Sequence, residues 1–170
     1  MKGYVQVYTG DGKGKTTASI GLAIRAVGAG LKVFIGQFVK GMKYSELESL
    51  SNISGITIKQ YGLDCFIYNE PTKKDILKAR EGFEEIKEIL ISSDYDVIIL
   101  DEANIAIYYK LFTVEELIEV LKSRKPNIEV IITGRKATSQ IIDFADLVTE
   151  MKEIKHYYTN GVQARKGIES

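Results

Sequence analysis

The segment "GYVQVYTGDGKGKTTASIGLAIRAVGAG" (3–30) constrains the fold more than any other part of the chain. A short β-type run, with Val5 and Val7 on one face, gives way to a stretch with helical periodicity. Between them lie Gly10, Asp11, Gly12, Lys13 and Gly14, followed by Lys15, Thr16 and Thr17. Glycines let backbone N–H groups point inward at an anion, and the helix start behind them adds partial positive charge. Strand, glycine loop and helix in that order read as a phosphate-binding turn within an open α/β sheet. The spacing is unusual. The common loop is G-x-x-x-x-G-K-[ST], which would put a glycine at residue 9. Residue 9 is Thr and the first glycine is Gly10, so the loop is one residue short. A flexible turn at a helix start is the bland alternative. The strand before, the helix after and Gly-Lys-Thr-Thr at the junction argue against it.

The rest of the chain alternates in the same way. In the first helix Ala18, Leu22 and Ala26 form the expected buried stripe, with Gly28 and Gly30 as stop signals. "KVFIGQFV" (32–39) and "ITIKQY" (56–61) read as strands, with a short helix between them that Ser45 and Glu48 would cap. After Pro71, Thr72 and Asp75 mark a helix start, and Ile76, Ala79, Phe83, Ile86 and Leu90 recur at helical spacing. "YDVIIL" (95–100) is apolar enough to be covered on both faces, and Asp101-Glu102 follows it. Thr113 and Glu116 cap a helix that ends before Pro126. "IEVIIT" (128–133) is another buried strand, "DLVTEMKEIKHYY" (146–158) a last strand and turn, and the tail is polar. The expectation is one P-loop NTPase-like (RecA-like) α/β domain over 1–170, with a mostly parallel sheet and helices on both faces. Ligands of such sheets sit beyond the carboxyl ends of the strands, where Gly10–Thr16, Asp101-Glu102 and Thr133–Arg135 all fall.

Composition excludes several classes. Lys+Arg and Asp+Glu both number 23, so no basic excess points to nucleic acid. The one cysteine, Cys65, excludes an intramolecular disulfide and a Cys-rich zinc site. With no signal-peptide pattern, the expected location is the cytoplasm. No apolar run approaches the roughly 18 residues of a membrane span.

The polar clusters carry the chemistry. Lys15 would supply a point charge for a phosphate, and the Thr16 hydroxyl would be a ligand for Mg²⁺. Asp101 and Glu102 resemble a Walker B element, a carboxylate at a strand end held over the metal. Hard Mg²⁺ takes oxygen ligands and keeps several waters, so one or two carboxylates suffice. Arg135 has a fork suited to phosphate oxygens, and a surface salt bridge explains it equally well. His156 reads as structural rather than catalytic, and Cys65 as a small buried residue. Tyr61, Phe66 and Tyr68 crowd one loop. They line an apolar pocket or simply pack, and packing is the default.

Together "YTGDGKGKTT", "IILDEAN", "VIITGRKA" and "DLVTEMKEIKHYYTNGVQARKGIE" resemble the ATP:corrinoid (cob(I)alamin) adenosyltransferases of the CobA/CobO/BtuR type. The resemblance covers most of the chain outside about 44–94, and the shortened loop is itself a family mark. It implies transfer of the 5′-deoxyadenosyl group of ATP to Co(I) of cobalamin or a related corrinoid, with inorganic triphosphate leaving. Mg²⁺ is required, with Mn²⁺ as a substitute. Gly10–Thr16 with Thr17 would wrap the triphosphate, Lys15 would neutralise it, and Arg135 would add a contact. Thr16 and Glu102 would hold the metal, with Asp101 behind them or in their place. The C5′ end must face the corrinoid, so the nucleotide is expected to lie reversed relative to ordinary P-loop enzymes. The resemblance also implies a homodimer and a flavoprotein reductant. Three departures stand out. Family members often carry a Gly-x-Gly-Phe-x-Trp-like segment against the corrinoid's lower face. Here it reads "YGLDCFIYNEP", without Trp, and either Phe66 or Cys65 takes the Phe position, beside Tyr61 and Tyr68. The family's N-terminal arm is not expected before the first strand. "DEAN" replaces the frequent "DEIN".

Two other readings compete. A P-loop nucleoside or small-molecule kinase would carry a loop of standard length, and the zinc-bearing kinases a cysteine cluster. A nucleotide-switch module would carry long switch loops.

Overall fold

The computed structural model describes residues 2–42, 44–63, 70–92 and 94–169. Cys65, Phe66 and Tyr68 lie outside the described residues. The elements run β1 (Val5–Thr9), α1 (Lys15–Gly28), β2 (Val33–Phe38), α2 (Ser45–Ser51), β3 (Ile56–Tyr61), α3 (Lys73–Ser92) and β4 (Val97–Asp101). Then come α4 (Ala103–Tyr108), α5 (Val114–Ser123), β5 (Glu129–Thr133), α6 (Ser139–Phe144), β6 (Leu147–Glu150) and a 3₁₀ turn, Tyr157–Asn160.

The six strands form one parallel sheet in the order β3-β2-β4-β5-β1-β6. Because side chains alternate across a strand, the continuous apolar runs feed two separate cores. Phe34, Ile98, Leu100, Val130 and Ile132 face one side with Phe83, Ile86 and Leu90 of α3 and Leu117 and Leu121 of α5. Val33, Ile35, Val97, Ile99 and Ile131 face the other with Ala23 and Ala26 of α1 and Leu50 of α2. This is the expected P-loop-like α/β architecture. Parallel pairing sends every strand's carboxyl end to one edge, and β5 alone separates the loop-bearing β1 from β4.

Local details differ from the expectations. The buried face of α1 is Ser19, Ala23 and Ala26, with Lys15 at its start, while Ala18 is exposed. The helix is rotated because Lys15 and Thr16 are fixed by the loop and by β4. The expected cap of α2 is absent: Tyr44 is the extended N-cap residue and Ser45 is already helical. Thr113 and Glu116 do form a reciprocal capping box on α5. The helices α4 and α6 escaped the periodicity argument, being six residues each. A Thr138 cap accepting from the Ile141 N–H (3.3 Å) was a usable signal for α6. In α3 Ile76 is exposed, but Ala79, Phe83, Ile86 and Leu90 are buried as read.

Candidate functional site

The loop between β1 and α1 is shaped by glycine where no other residue fits without strain. Gly10 and Gly14 have φ of 94° and 119°, in the left-handed region that a Cβ disfavours. At Gly12 the backbone N–H donates to the Met151 carbonyl (2.7 Å). The chain leaving β6 therefore backs the loop, and a Cβ at Gly12 would lie 2.7 Å from that same oxygen.

Lys15 is 7% exposed and folds into the loop, its Nζ donating to the Gly10 and Gly12 carbonyls (2.7 Å each). Burial, and then the charge of Arg135, lowers its pKa, while Glu102 and Asp11 oppose this. A buried ammonium that donates only to neutral carbonyls keeps its charge uncompensated by a direct ion pair, which favours an anion. Thr17 and Asp11 are exposed. Lys13 points away from the loop's interior: its Nζ donates to Glu169 (2.9 Å), the Ile168 carbonyl (3.0 Å) and the Tyr157 hydroxyl (3.3 Å).

Asp101, at the end of β4, is the hub of the site. It is 0% exposed. Its Oδ1 accepts from the Thr16 hydroxyl (2.8 Å) and the Thr133 hydroxyl (2.7 Å). Its Oδ2 accepts from Lys40 Nζ (2.8 Å) and Gln37 Nε2 (3.2 Å). Gln60 on β3 in turn donates to Gln37 Oε1 (3.2 Å). Strands β2, β4 and β5 and helix α1 thus meet on one carboxylate, and β3 supports it through Gln60 and Gln37. The three clusters read from sequence are brought together here. Lys40, Gln37 and Thr133 complete the network, and sequence reasoning gave none of them a role. The convergence of strand ends pointed to Thr133, and no sequence signal marked Lys40 or Gln37.

Among the described residues, three of the four non-glycine positions with positive φ rim this edge: Val39 (58°), Glu102 (59°) and Lys136 (62°). Val39 is the costly one, since a β-branched side chain there costs about 1–3 kcal/mol. It immediately precedes Lys40. Burial pushes the Lys40 ammonium down, but the Asp101 carboxylate outweighs this and leaves its pKa raised. Glu102, the left-handed residue that opens α4, has its pKa raised by burial first and by Asp101 second. Its backbone N–H donates to Thr133 Oγ1 (3.0 Å). Lys40, Lys15 and Arg135 face its carboxylate and pull the other way. Arg135 is exposed and makes no hydrogen bond or ion pair among the described residues.

The oxygen set Thr16, Asp101 and Glu102 suits a hard divalent cation that keeps waters and bridges substrate phosphates. It is not a closed protein cage: no cluster of three His, Cys, Asp or Glu exists among the described residues. Tyr61 is a core residue. It is 4% exposed, its ring lies 5.5 Å from that of Phe38, and it packs under Gly82 of α3, so it offers a ligand little surface. The His156 ring lies tilted against that of Tyr157 (4.8 Å between ring centres), and its Nδ1 accepts from the Tyr158 N–H (3.0 Å). Among the described residues no helix is long and apolar enough to cross a membrane.

Comparison with known proteins places the sequence in a family. The chain is 37% identical over 172 residues to a corrinoid adenosyltransferase of a Sinorhizobium species, covering 99% of this chain and 80% of that protein. It is 35% identical over 168 residues to the corrinoid adenosyltransferase of Escherichia coli K12, covering 99% and 86%. The corrinoid adenosyltransferase CobA of Salmonella typhimurium is 34% identical over 168 residues, again covering 99% and 86%. The family model described as ATP:corrinoid adenosyltransferase BtuR/CobO/CobP matches residues 1–170. The chain belongs to the ATP:corrinoid adenosyltransferase family.

Proposed function

We propose that this corrinoid adenosyltransferase moves the 5′-deoxyadenosyl group of ATP onto Co(I) of cobalamin or a related corrinoid. The cobalt electron pair forms the Co–C5′ bond, the C5′–O bond breaks, and its electrons leave with inorganic triphosphate. One observation carries this reading: the buried ammonium of Lys15 in the glycine loop lies near a carboxylate hub, and among the described residues no Ser–His or Cys–His pair stands beside it. When the substrate brings its own nucleophile, the protein has only to orient it and stabilise the leaving charge. In this reading Gly10–Thr16 wrap the triphosphate with their backbone N–H groups, except the Gly12 N–H, which stays on the Met151 carbonyl. Lys15 exchanges the Gly10 and Gly12 carbonyls for phosphate oxygens, and Arg135, lacking a partner among the described residues, adds a second contact. Thr16, Asp101 and Glu102 would hold Mg²⁺ or Mn²⁺, which supplies further charge neutralisation on the leaving group. The reversed nucleotide, the homodimer, the flavoprotein reductant and a cytoplasmic setting belong to the same proposal. So does a corrinoid surface that includes Phe66 and Tyr68.

The test is a direct assay with Mg-ATP and chemically reduced cobalamin, followed by the corrinoid spectrum and the phosphate products. A light-sensitive Co–C product with stoichiometric triphosphate is expected. ADP with a phosphorylated acceptor would identify a kinase instead.

A further inference from the structure

We infer that Lys40 is a built-in counter-cation that holds the divalent metal's place at Asp101 while no nucleotide is bound. This rests on the proposal that Thr16 and Asp101 receive the metal. A carboxylate offers about four acceptor positions, and all four on Asp101 are taken, by Thr16, Thr133, Lys40 and Gln37. A metal ion reaches Asp101 directly only if one donor leaves. Thr16 and Thr133 are short side chains fixed on α1 and β5, and Gln37 is held from behind by Gln60. Lys40 alone is charged and alone has a long flexible stem.

Its position agrees. The ammonium lies 2.8 Å from Asp101 Oδ2 and 3.4 Å from Thr16 Oγ1, so it bridges the two groups that a metal would bridge. The strained Val39 turns the chain into this position, and the Tyr44 ring lies 5.4 Å from the ammonium. Glu46 and Glu102 are close enough to feel its charge and give it somewhere to turn. A divalent ion arriving alone must displace an ammonium from its carboxylate and then sit beside it. An ion arriving with a polyphosphate brings the negative charge that frees the lysine. The consequence is coupling: the site takes metal together with nucleotide and resists free metal.

The test is calorimetric titration of Mn²⁺ alone into nucleotide-free wild-type protein, Lys40→Met and Lys40→Arg. Lys40→Met is expected to bind Mn²⁺ about tenfold or more tighter than wild type, with Lys40→Arg close to wild type. Millimolar Mg²⁺ without nucleotide should raise the melting temperature of Lys40→Met and leave wild type unchanged. Lys40→Gln keeps a donor without the charge and answers the same question if the Met variant fails to fold. Equal Mn²⁺ affinity in wild type and the uncharged variants overturns the inference. Mn²⁺-ATP binding to wild type and Thr16→Val is measured in parallel. If Thr16→Val binds it as wild type does, the metal site itself is misplaced. If Thr16→Val is weakened but the uncharged Lys40 variants gain nothing, only the counter-cation role fails.

Discussion

Glu102 shows what it costs to bury one carboxylate beside another. Its backbone is left-handed, and burial together with Asp101 raises its pKa above the ordinary 4.5. The groups facing it are Asp101 on one side and Lys40, Lys15 and Arg135 on the other. A raised carboxylate pKa means the folded protein holds the proton more tightly than the unfolded chain. The stability this gives is fully present below about 4.5 and is lost as pH rises through the folded value. Glu102→Gln removes that loss. Nucleotide-free Glu102→Gln should therefore match wild type in acid and exceed it at pH ~7.5 by about 0.5–2 kcal/mol, the usual scale of a single stabilising substitution. Turnover should fall at the same time. Denaturant unfolding across pH checks it, and a stability difference that does not change with pH would refute the assignment of burial and Asp101 as the cause. Glu102 was legible in sequence because it follows an apolar strand directly, as Lys15 was because its motif is local. Lys40 was not. Nothing in "FVKG" marks it, and its role exists only because β2 and β4 are neighbours, with Gln37 in register with Asp101.

At the scale of elements, glycines in helices have opposite values depending on what lies over them. Gly21 in α1 has open space around it, and nothing would lie within 4 Å of an added Cβ. Gly82 in α3 sits directly on Tyr61, and a Cβ there would lie 2.2 Å from the Tyr61 Cγ. Helix propensity alone favours alanine at both by about 0.5–1 kcal/mol. At Gly82 overpacking opposes it by about 1–3 kcal/mol, because the Tyr61 ring is wedged against Phe38 and cannot swing away freely. Gly21→Ala should stabilise the protein and Gly82→Ala destabilise it, read as opposite shifts of the chemical-denaturation midpoint. Stabilisation by both would mean that Tyr61 is free to move. The sequence pattern found α3 and most of its buried stripe because a long amphipathic helix repeats its signal. It missed α4 because six residues give less than two turns of period. On α1 it placed Ala26 in the buried stripe and Leu22 against the core but added Ala18, which is exposed because the rotation of the helix is set by Lys15 and Thr16 at its start.

For the whole molecule, alternation of strands and helices was readable, but strand order was not, since parallel crossovers of similar length permit several orders. The return of the tail was equally hidden. The residues after β6 read as a turn and then, from Thr159, a polar, glycine-punctuated tail, yet they fold back onto the loop between β1 and α1. There the Met151 carbonyl receives the Gly12 N–H, and Glu169 gathers Arg165, Tyr157 and Lys13. The Arg165 hydrogen bond first, then those of Tyr157 and Lys13, holds the Glu169 carboxylate well below the usual carboxylate range. A depressed carboxylate pKa stabilises its structure above the unfolded value of about 4.5 and loses that contribution as pH falls toward the folded one. The cluster is close to solvent, so its effect is local: it ties the tail to the loop without holding up the core. Glu169→Ala should therefore speed hydrogen exchange across 157–169 at neutral pH and leave the global melting temperature unchanged. Wild type should show the same local loosening in acid, and in concentrated salt, which screens exposed charges. Unchanged tail exchange in Glu169→Ala would mean that the Met151–Gly12 bond alone fixes the tail. A lowered global melting temperature would mean that the tail is part of the cooperative core.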